Sequence, residues 1–249
     1  MVKKNISAIS AEDIASNIST FGKSLLYKDR PTRKLSMEER NELWEVKRLP
    51  TFDEFCKDPE HMNFPPLSDR QKSASDFMIG GDPTQAFNNQ NSRCVLVWGK
   101  GSGKDSIAVL MTAYITFLLL NIKNPQLYFG RTDIDTLDIV NVAASGKQAK
   151  DVYFDKFTNI VKSWKWLRKR YKIIESGIPL SSDIMVSNDV VKIMQNGIIF
   201  PKQIRAISGN SEQETQEGKN IICFVLDEFS AFQDKTKTRN AGKIFKRQV

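Results

Sequence analysis

A short apolar strand that runs into a glycine-rich loop and then into a helix constrains this chain more than any other feature in it. Cys94-Val95-Leu96-Val97-Trp98 has the length and composition of a strand buried on both faces, and it leads directly into Gly99-Lys100-Gly101-Ser102-Gly103-Lys104-Asp105-Ser106. A helix is expected from about Ser106 to Asn121. Glycine at 99, 101 and 103 lets successive backbone N–H groups turn inward around an anion, and the helix that follows presents its positive end to the same point. Lys104 then reaches the β- and γ-phosphates as a point charge. A flexible lysine-rich turn would have neither the buried strand before it nor the amphipathic helix after it, so the segment reads as a phosphate loop.

Two positions depart from the GxxxxGK[ST] pattern. Trp98 stands where the first glycine would be, and Asp105 stands where Ser or Thr would hold magnesium. Carboxylate oxygen is a good hard ligand for that ion, so Asp105 can replace the hydroxyl; Ser106 is available if the loop is shifted by one residue. A second acidic site is expected at Ile221-Ile222-Cys223-Phe224-Val225-Leu226-Asp227-Glu228, an apolar strand that delivers two acids to its carboxyl end. In an open parallel sheet that end is where ligands bind. Asp227 can hold the magnesium shell while Glu228 orients the attacking water.

The rest of the chain fits an α/β fold around these two motifs. Of its 249 residues 40% are hydrophobic, enough to bury a sizeable core. Residues 1–62 are expected to form an N-terminal helical arm or subdomain, with a capping box at Ser36 and Glu39, and residues 63–249 the nucleotide-binding domain. Ser68 or Asp69 caps a helix over Arg70 to Met78, ended by the turn residues Gly80 to Pro83. Strands are expected at Gln126–Phe129 and Ile139–Ala143, a helix over 146–170, and a β-rich patch from Ile184 to Ile207 around the hairpin signal Asn196-Gly197. Alternating strands and helices with apolar central strands argue for a central, mainly parallel sheet flanked by helices.

Composition limits the partners. Cys56, Cys94 and Cys223 are widely separated and His61 is the lone histidine, so no zinc site is expected and the chain reads as a reduced cytoplasmic protein. The most apolar stretch, Ile115 to Ile122, is too short to span a bilayer and reads as a buried helix. A formal charge of +8 favours a polyanionic partner. Of two basic stretches, Lys162–Lys172 reads as a helix with Trp164, Trp166 and Tyr171 turned inward, and Lys235–Arg247 is the better candidate for a nucleic-acid-facing loop.

From about Leu67 onward the chain resembles the ATPase domain of phage terminase large subunits, the motors that package DNA. The resemblance rests on the GKGSGKDS loop with Asp after the lysine, and on Arg70-Gln71 at the start of a helix before it. It rests also on Val142-Ala143-Ala144-Ser145 with Gln148-Ala149, and on Ile204 to Ser208 with Glu217 to Asn220 before the acidic strand. It implies a P-loop NTPase that binds ATP and Mg2+ and hydrolyses ATP to pump double-stranded DNA into a procapsid. It also implies work as a homo-oligomeric ring on the portal with a small terminase subunit, in the host cytoplasm, with no membrane. In these terms the nucleotide is held by Gln71, Gly99, Lys100, Gly101, Ser102, Gly103, Lys104, Asp105 and Ser106, with Gln71 reading adenine. Asp105 and Asp227 hold the metal, and Glu228, Lys104 and Lys100 carry the chemistry.

Lys100 stands where an arginine is usual in that family, and Arg131, Arg168 and Arg205 are the candidates to replace it. No coupling motif and no nuclease carboxylate cluster are recognisable before Val249, so the chain reads as an incomplete motor. Two other readings use the same residues: a helicase-like ATPase, and an assembly module in which bound nucleotide only orders the subunit.

Overall fold

Side chains that satisfy the free N–H groups of a first turn set several helix starts. Thr51 forms a capping box with Glu54 at the head of α1 (Phe52–Lys57). Ser68 does the same with Gln71 at the head of α2 (Asp69–Ile79), which ends at Gly80 in a positive-φ conformation. The computed structural model that shows this describes residue 42 and residues 44–87, 101–142, 153–180, 188–209 and 220–226. The expected strand at Cys94–Trp98, the Ser36 capping box, Gly99, Lys100, Asp227, Glu228 and the basic stretch 235–247 lie outside the described residues.

Helix α3 (Lys104–Leu120) follows the glycine loop; it is not the amphipathic helix expected there but apolar on every side, with Ile107, Ala113, Tyr114, Leu118 and Leu119 fully buried. No helix among the described residues is long and apolar enough to cross a membrane. The next element corrects the sequence reading. Gln126 to Phe129 is not a strand but part of α4 (Pro125–Tyr128) and its C-cap. Asn124 accepts a hydrogen bond from the Leu127 N–H at 3.0 Å, and Pro125 sits at the first helical position, where its missing N–H is no loss.

Strand β1 (Leu137–Val142) is buried along its whole length. The helix expected over 146–170 is, in its described part, two: α5 (Asp155–Ser163) and α6 (Lys165–Arg170). Trp164 breaks them with an extended backbone that turns its indole inward, where it is 1% exposed. Then come β2 (Lys172–Glu175), β3 (Val190–Ile193), β4 (Gly197–Phe200), β5 (Ile204–Gly209) and β6 (Ile221–Leu226). The sheet order is β2-β3-β4-β5-β1-β6, with β1 parallel to both β5 and β6. Only β4 runs against its neighbours, because the tight Gln195-Asn196 turn returns β3 directly onto it.

A single lysine fixes the direction of α3. Lys202, in the turn before β5, donates through Nζ to the carbonyls of Leu120 at 2.8 Å and Ile122 at 2.7 Å, and to Glu45 Oε1 at 2.5 Å. A cation on the last free carbonyls is favourable against the helix dipole. The carboxyl end of α3 therefore lies at the amino ends of β5, β1 and β6. Its 17 residues span about 25 Å, and a strand of six about 20 Å, so its amino end reaches the carboxyl ends of those strands.

The main core lies between the sheet and α3, and continues over the outer side of α3. Leu137 and Ile139 of β1, Ile204 and Ala206 of β5, and Cys223 and Val225 of β6 join α3 in one apolar cluster. On the far side Phe55 packs edge-on against Tyr114 and at a tilt against Phe117, and the Tyr114 hydroxyl donates to the Pro50 carbonyl at 2.7 Å. Burial pushes the Cys56 thiol up to about 12, which leaves it protonated and inert.

Candidate functional site

The described part of the glycine loop has the backbone that its glycines make possible. Gly101 has φ 78° and Gly103 has φ 80°, both in the left-handed region that a side chain disfavours. Gly103 is the N-cap of α3 and offers no side chain to its first turn, so the N–H groups there keep their hydrogen-bonding capacity for another acceptor. Between the two glycines the Ser102 hydroxyl is buried with no hydrogen-bond partner among the described residues. Free donors at a helix start and an unpaired hydroxyl beside them suit a phosphate.

Helix α2 closes one side of this loop. A Cβ on Gly103 would sit 3.0 Å from Gln71 Nε2, so a side chain there would crowd the glutamine amide and displace it by a few tenths of an ångström. The Gln71 amide is already half engaged: its Oε1 accepts from the Ser68 N–H at 2.9 Å. What remains is Nε2, a donor facing the loop.

Helix α5 closes another side. Lys156 Nζ lies 3.9 Å from Asp105 Oδ2, and both side chains are partly exposed. The Tyr153 hydroxyl meets that of Thr112 and donates to the Ala108 carbonyl at 3.2 Å, which holds the start of α5 against the first half of α3. Lys156 thus places a cation beside Asp105 in the first turn of α3. Sequence reading did not single it out, since it is one lysine among many on a helix face.

The three arginines proposed as substitutes for an arginine finger are placed elsewhere. Arg205 donates from Nε to Asp138 Oδ1 at 2.7 Å and from Nη2 to Oδ2 at 2.9 Å. The pair is in register near the amino ends of β5 and β1, and Asp138 is wholly buried. Arg131 lies in the loop that leads into β1, at the same amino-terminal end. Arg168 lines a cavity of about 390 Å³ with Lys162, Tyr171 and Lys172 at β2, five strand spacings from β6. At about 4.8 Å each these make roughly 24 Å. Within one chain, none of the three lies at the amino end of α3.

The basic stretch 162–172 is a solvated face over an aromatic interior. Trp164 Nε1 donates to His61 Nδ1 at 3.3 Å, and the His61 ring packs against Phe55, Phe117 and Trp166. Lys162 pairs with Glu175, Lys169 with Glu60, and Arg170 lies 4.4 Å over the Trp166 ring.

Two polar residues interrupt the apolar run of β1. Asp138 is paired with Arg205, as above. Asn141 is 4% exposed, and neither its Nδ2 nor its Oδ1 has a hydrogen-bond partner among the described residues. An amide buried in this way costs about 1–3 kcal/mol for each group left unpaired. Apart from breaking the apolar pattern, nothing in the local sequence marks it.

Comparison with known proteins gives this geometry a family. The model of the family described as "Uncharacterized protein MJ0330, N-terminal P-loop domain" matches residues 11–248. The chain belongs to this family. In this P-loop domain the loop-to-helix segment is Gly101 to Leu120, and the sheet is the six-stranded, mostly parallel one described above. A relative, "Uncharacterized protein MJ0330" of Methanocaldococcus jannaschii, is 28% identical over 151 residues, which cover 61% of this chain and 24% of that protein. The chain thus spans about a quarter of the relative it matches. No solved structure matches. A P-loop domain generally binds nucleotide with Mg2+, and the family points to nucleotide hydrolysis only in that general sense.

Proposed function

We propose that this P-loop domain binds ATP with magnesium and hydrolyses it as the motor part of a machine that moves double-stranded DNA, in the manner of the terminase large subunits it resembles. The observation that carries the nucleotide site is the conjunction at the head of α3: left-handed Gly101 and Gly103, uncapped N–H groups and the unpaired Ser102 hydroxyl. Gly99, Gly101, Ser102 and Gly103 cradle the phosphates, Lys100 and Lys104 neutralise them, and Gln71 borders the base with its free Nε2. Asp105 and Asp227 would hold magnesium, with Ser106 beside them, and the ion would supply charge neutralisation at the terminal phosphate. Glu228 orients water and accepts its proton as the phosphorus–oxygen bond opens. Asp227 and Glu228 follow β6 directly in sequence, and the carboxyl end of β6 lies on the same side of the sheet as the head of α3.

The motor role rests on the resemblance and on the charge of +8. It brings as partners double-stranded DNA, a portal and procapsid, a small terminase subunit, and further copies of the chain in a ring. The test is ATP binding and turnover with and without duplex or forked DNA. Lys104→Ala should weaken nucleotide binding, while Glu228→Gln should retain ATP and lose turnover by about 10²-fold or more. Stimulation by duplex DNA supports the packaging reading, and stimulation by forks alone replaces it with a helicase-like one. Binding without turnover reduces the chain to an assembly module.

A further inference from the structure

Asn141 is the buried polar group that the fold does not explain. It is the penultimate residue of β1, at the carboxyl end of the strand, in register with Val225 of β6 and Ser208 of β5. Alternation along β1 puts it on the same face as Leu137 and Ile139, which pack in the cluster with α3, and opposite to Asp138. Lys202 holds the far end of α3 at the feet of these strands, so Asn141 shares both the face and the end of the sheet with the head of α3. Its neighbour in register, Val225, lies two residues before Asp227 and three before Glu228.

We propose that Asn141 is a positioning residue for hydrolysis, its amide holding the attacking water and the Glu228 carboxylate in register with the terminal phosphate. An amide suits this task because Nδ2 donates to an oxygen anion while Oδ1 accepts from water, without a charge that would compete with magnesium. The strands on either side offer no substitute: Val225 is apolar and Ser208 carries a shorter hydroxyl. Asn141 thereby distinguishes ATP from ADP, since only the former supplies the phosphate around which this group is organised. The inference rests on the ATPase reading above.

The experiment uses the full chain with ATP, ADP and a non-hydrolysable ATP analogue, all with magnesium. Asn141→Leu and Asn141→Ala should fold with an unchanged or raised Tm, because each removes a buried unpaired amide. Both should bind ADP within about twofold of the parent and lose turnover by about 10²-fold, with KM moved far less than kcat. In the parent the ATP analogue should raise Tm more than ADP does; in both variants that difference should vanish. Asn141→Thr, which keeps a donor and acceptor on a strand-compatible side chain, should recover part of the turnover. If the variants hydrolyse ATP like the parent, or if neither folds, Asn141 is a structural core amide and the proposal is overturned. If the parent itself binds no nucleotide, the ATPase reading fails first, and the two failures are told apart.

Discussion

In the proposed site Asp105 carries the metal chemistry, and its position in the first turn of α3 makes that assignment testable. Asp105→Ala should raise the magnesium needed for half-maximal ATPase, and Asp105→Ser should restore part of it; a larger effect from Ser106→Ala would move the ligand by one residue. Lys156, 3.9 Å away, draws on the same carboxylate that magnesium would use. Lys156→Met should therefore lower the magnesium requirement. An exposed pair of this kind is worth about 0.2–1 kcal/mol, so the shift should be no more than about fivefold. Two glycines in the same loop separate backbone strain from crowding. Gly101→Ala and Gly103→Ala each force a side chain into a left-handed backbone, at about 1 kcal/mol and a few degrees of Tm. Gly101 has open space around it, whereas a methyl at Gly103 meets Gln71 Nε2. Gly103→Ala should thus also weaken nucleotide binding, as read by fluorescent-nucleotide titration, and equal affinities in the two variants would separate Gln71 from the site.

At the scale of the element, the parallel trio β5-β1-β6 is held in register by more than its ladder. Asp138 and Arg205 face each other across β1 and β5, with the carboxylate wholly buried and both of its oxygens bonded. Removing the guanidinium leaves a buried charge without compensation. Arg205→Met should cost about 3–5 kcal/mol, or roughly 10 °C in Tm, measured by calorimetry or circular dichroism. The double variant Asp138→Leu with Arg205→Met should regain most of this, because an apolar pair of similar volume has no charge to strand. An Arg205→Met protein with the parent's Tm but no ATPase would instead restore Arg205 as a catalytic candidate.

The packing of the described residues as a whole carries a pH dependence centred on His61. Its ring sits among Phe55, Phe117, Trp164 and Trp166, and burial holds its pKa below the ordinary value of 6.5. Asp58 and Glu60 pull the other way, and Arg170 adds to the lowering. Because the folded pKa is depressed, the unfolded chain takes up the proton first as pH falls. Stability is full above pH 6.5 and declines as pH drops below it towards the folded value. Protonation also removes the Nδ1 lone pair that accepts from Trp164 Nε1. Tm should therefore fall between pH 7.5 and about pH 5, and His61→Phe should flatten that slope. Glu54, whose carboxyl is held below 4.5 chiefly by the Thr51 N–H, titrates under this window and does not confuse it.

What the sequence by itself determined is what depends on neighbours a few residues away. The Ser68 cap of α2, the tight turn before Gly197, the apolar run of β6 and the left-handed glycines at the head of α3 all follow from local sterics, capping or side-chain period. The loop-to-helix segment of a P-loop domain was legible for the same reason. The tertiary structure decided what depends on distant partners. Gln126 to Phe129 has the composition of a strand, yet the Asn124 cap and Gln126 Nε2, which reaches the Asp135 and Lys202 carbonyls, make it helical. Trp164 breaks a helix that its periodicity would continue, because His61 and Phe55, about a hundred residues earlier, offer its indole a buried site. Arg205, Lys156 and Asn141 acquire their positions in the same way, by strand register and helix packing between segments tens of residues apart. No local pattern encodes those contacts, because the burial that fixes the pairing of Arg205 on one face of the sheet and leaves Asn141 without a partner on the other exists only once the strands have assembled and both faces are covered.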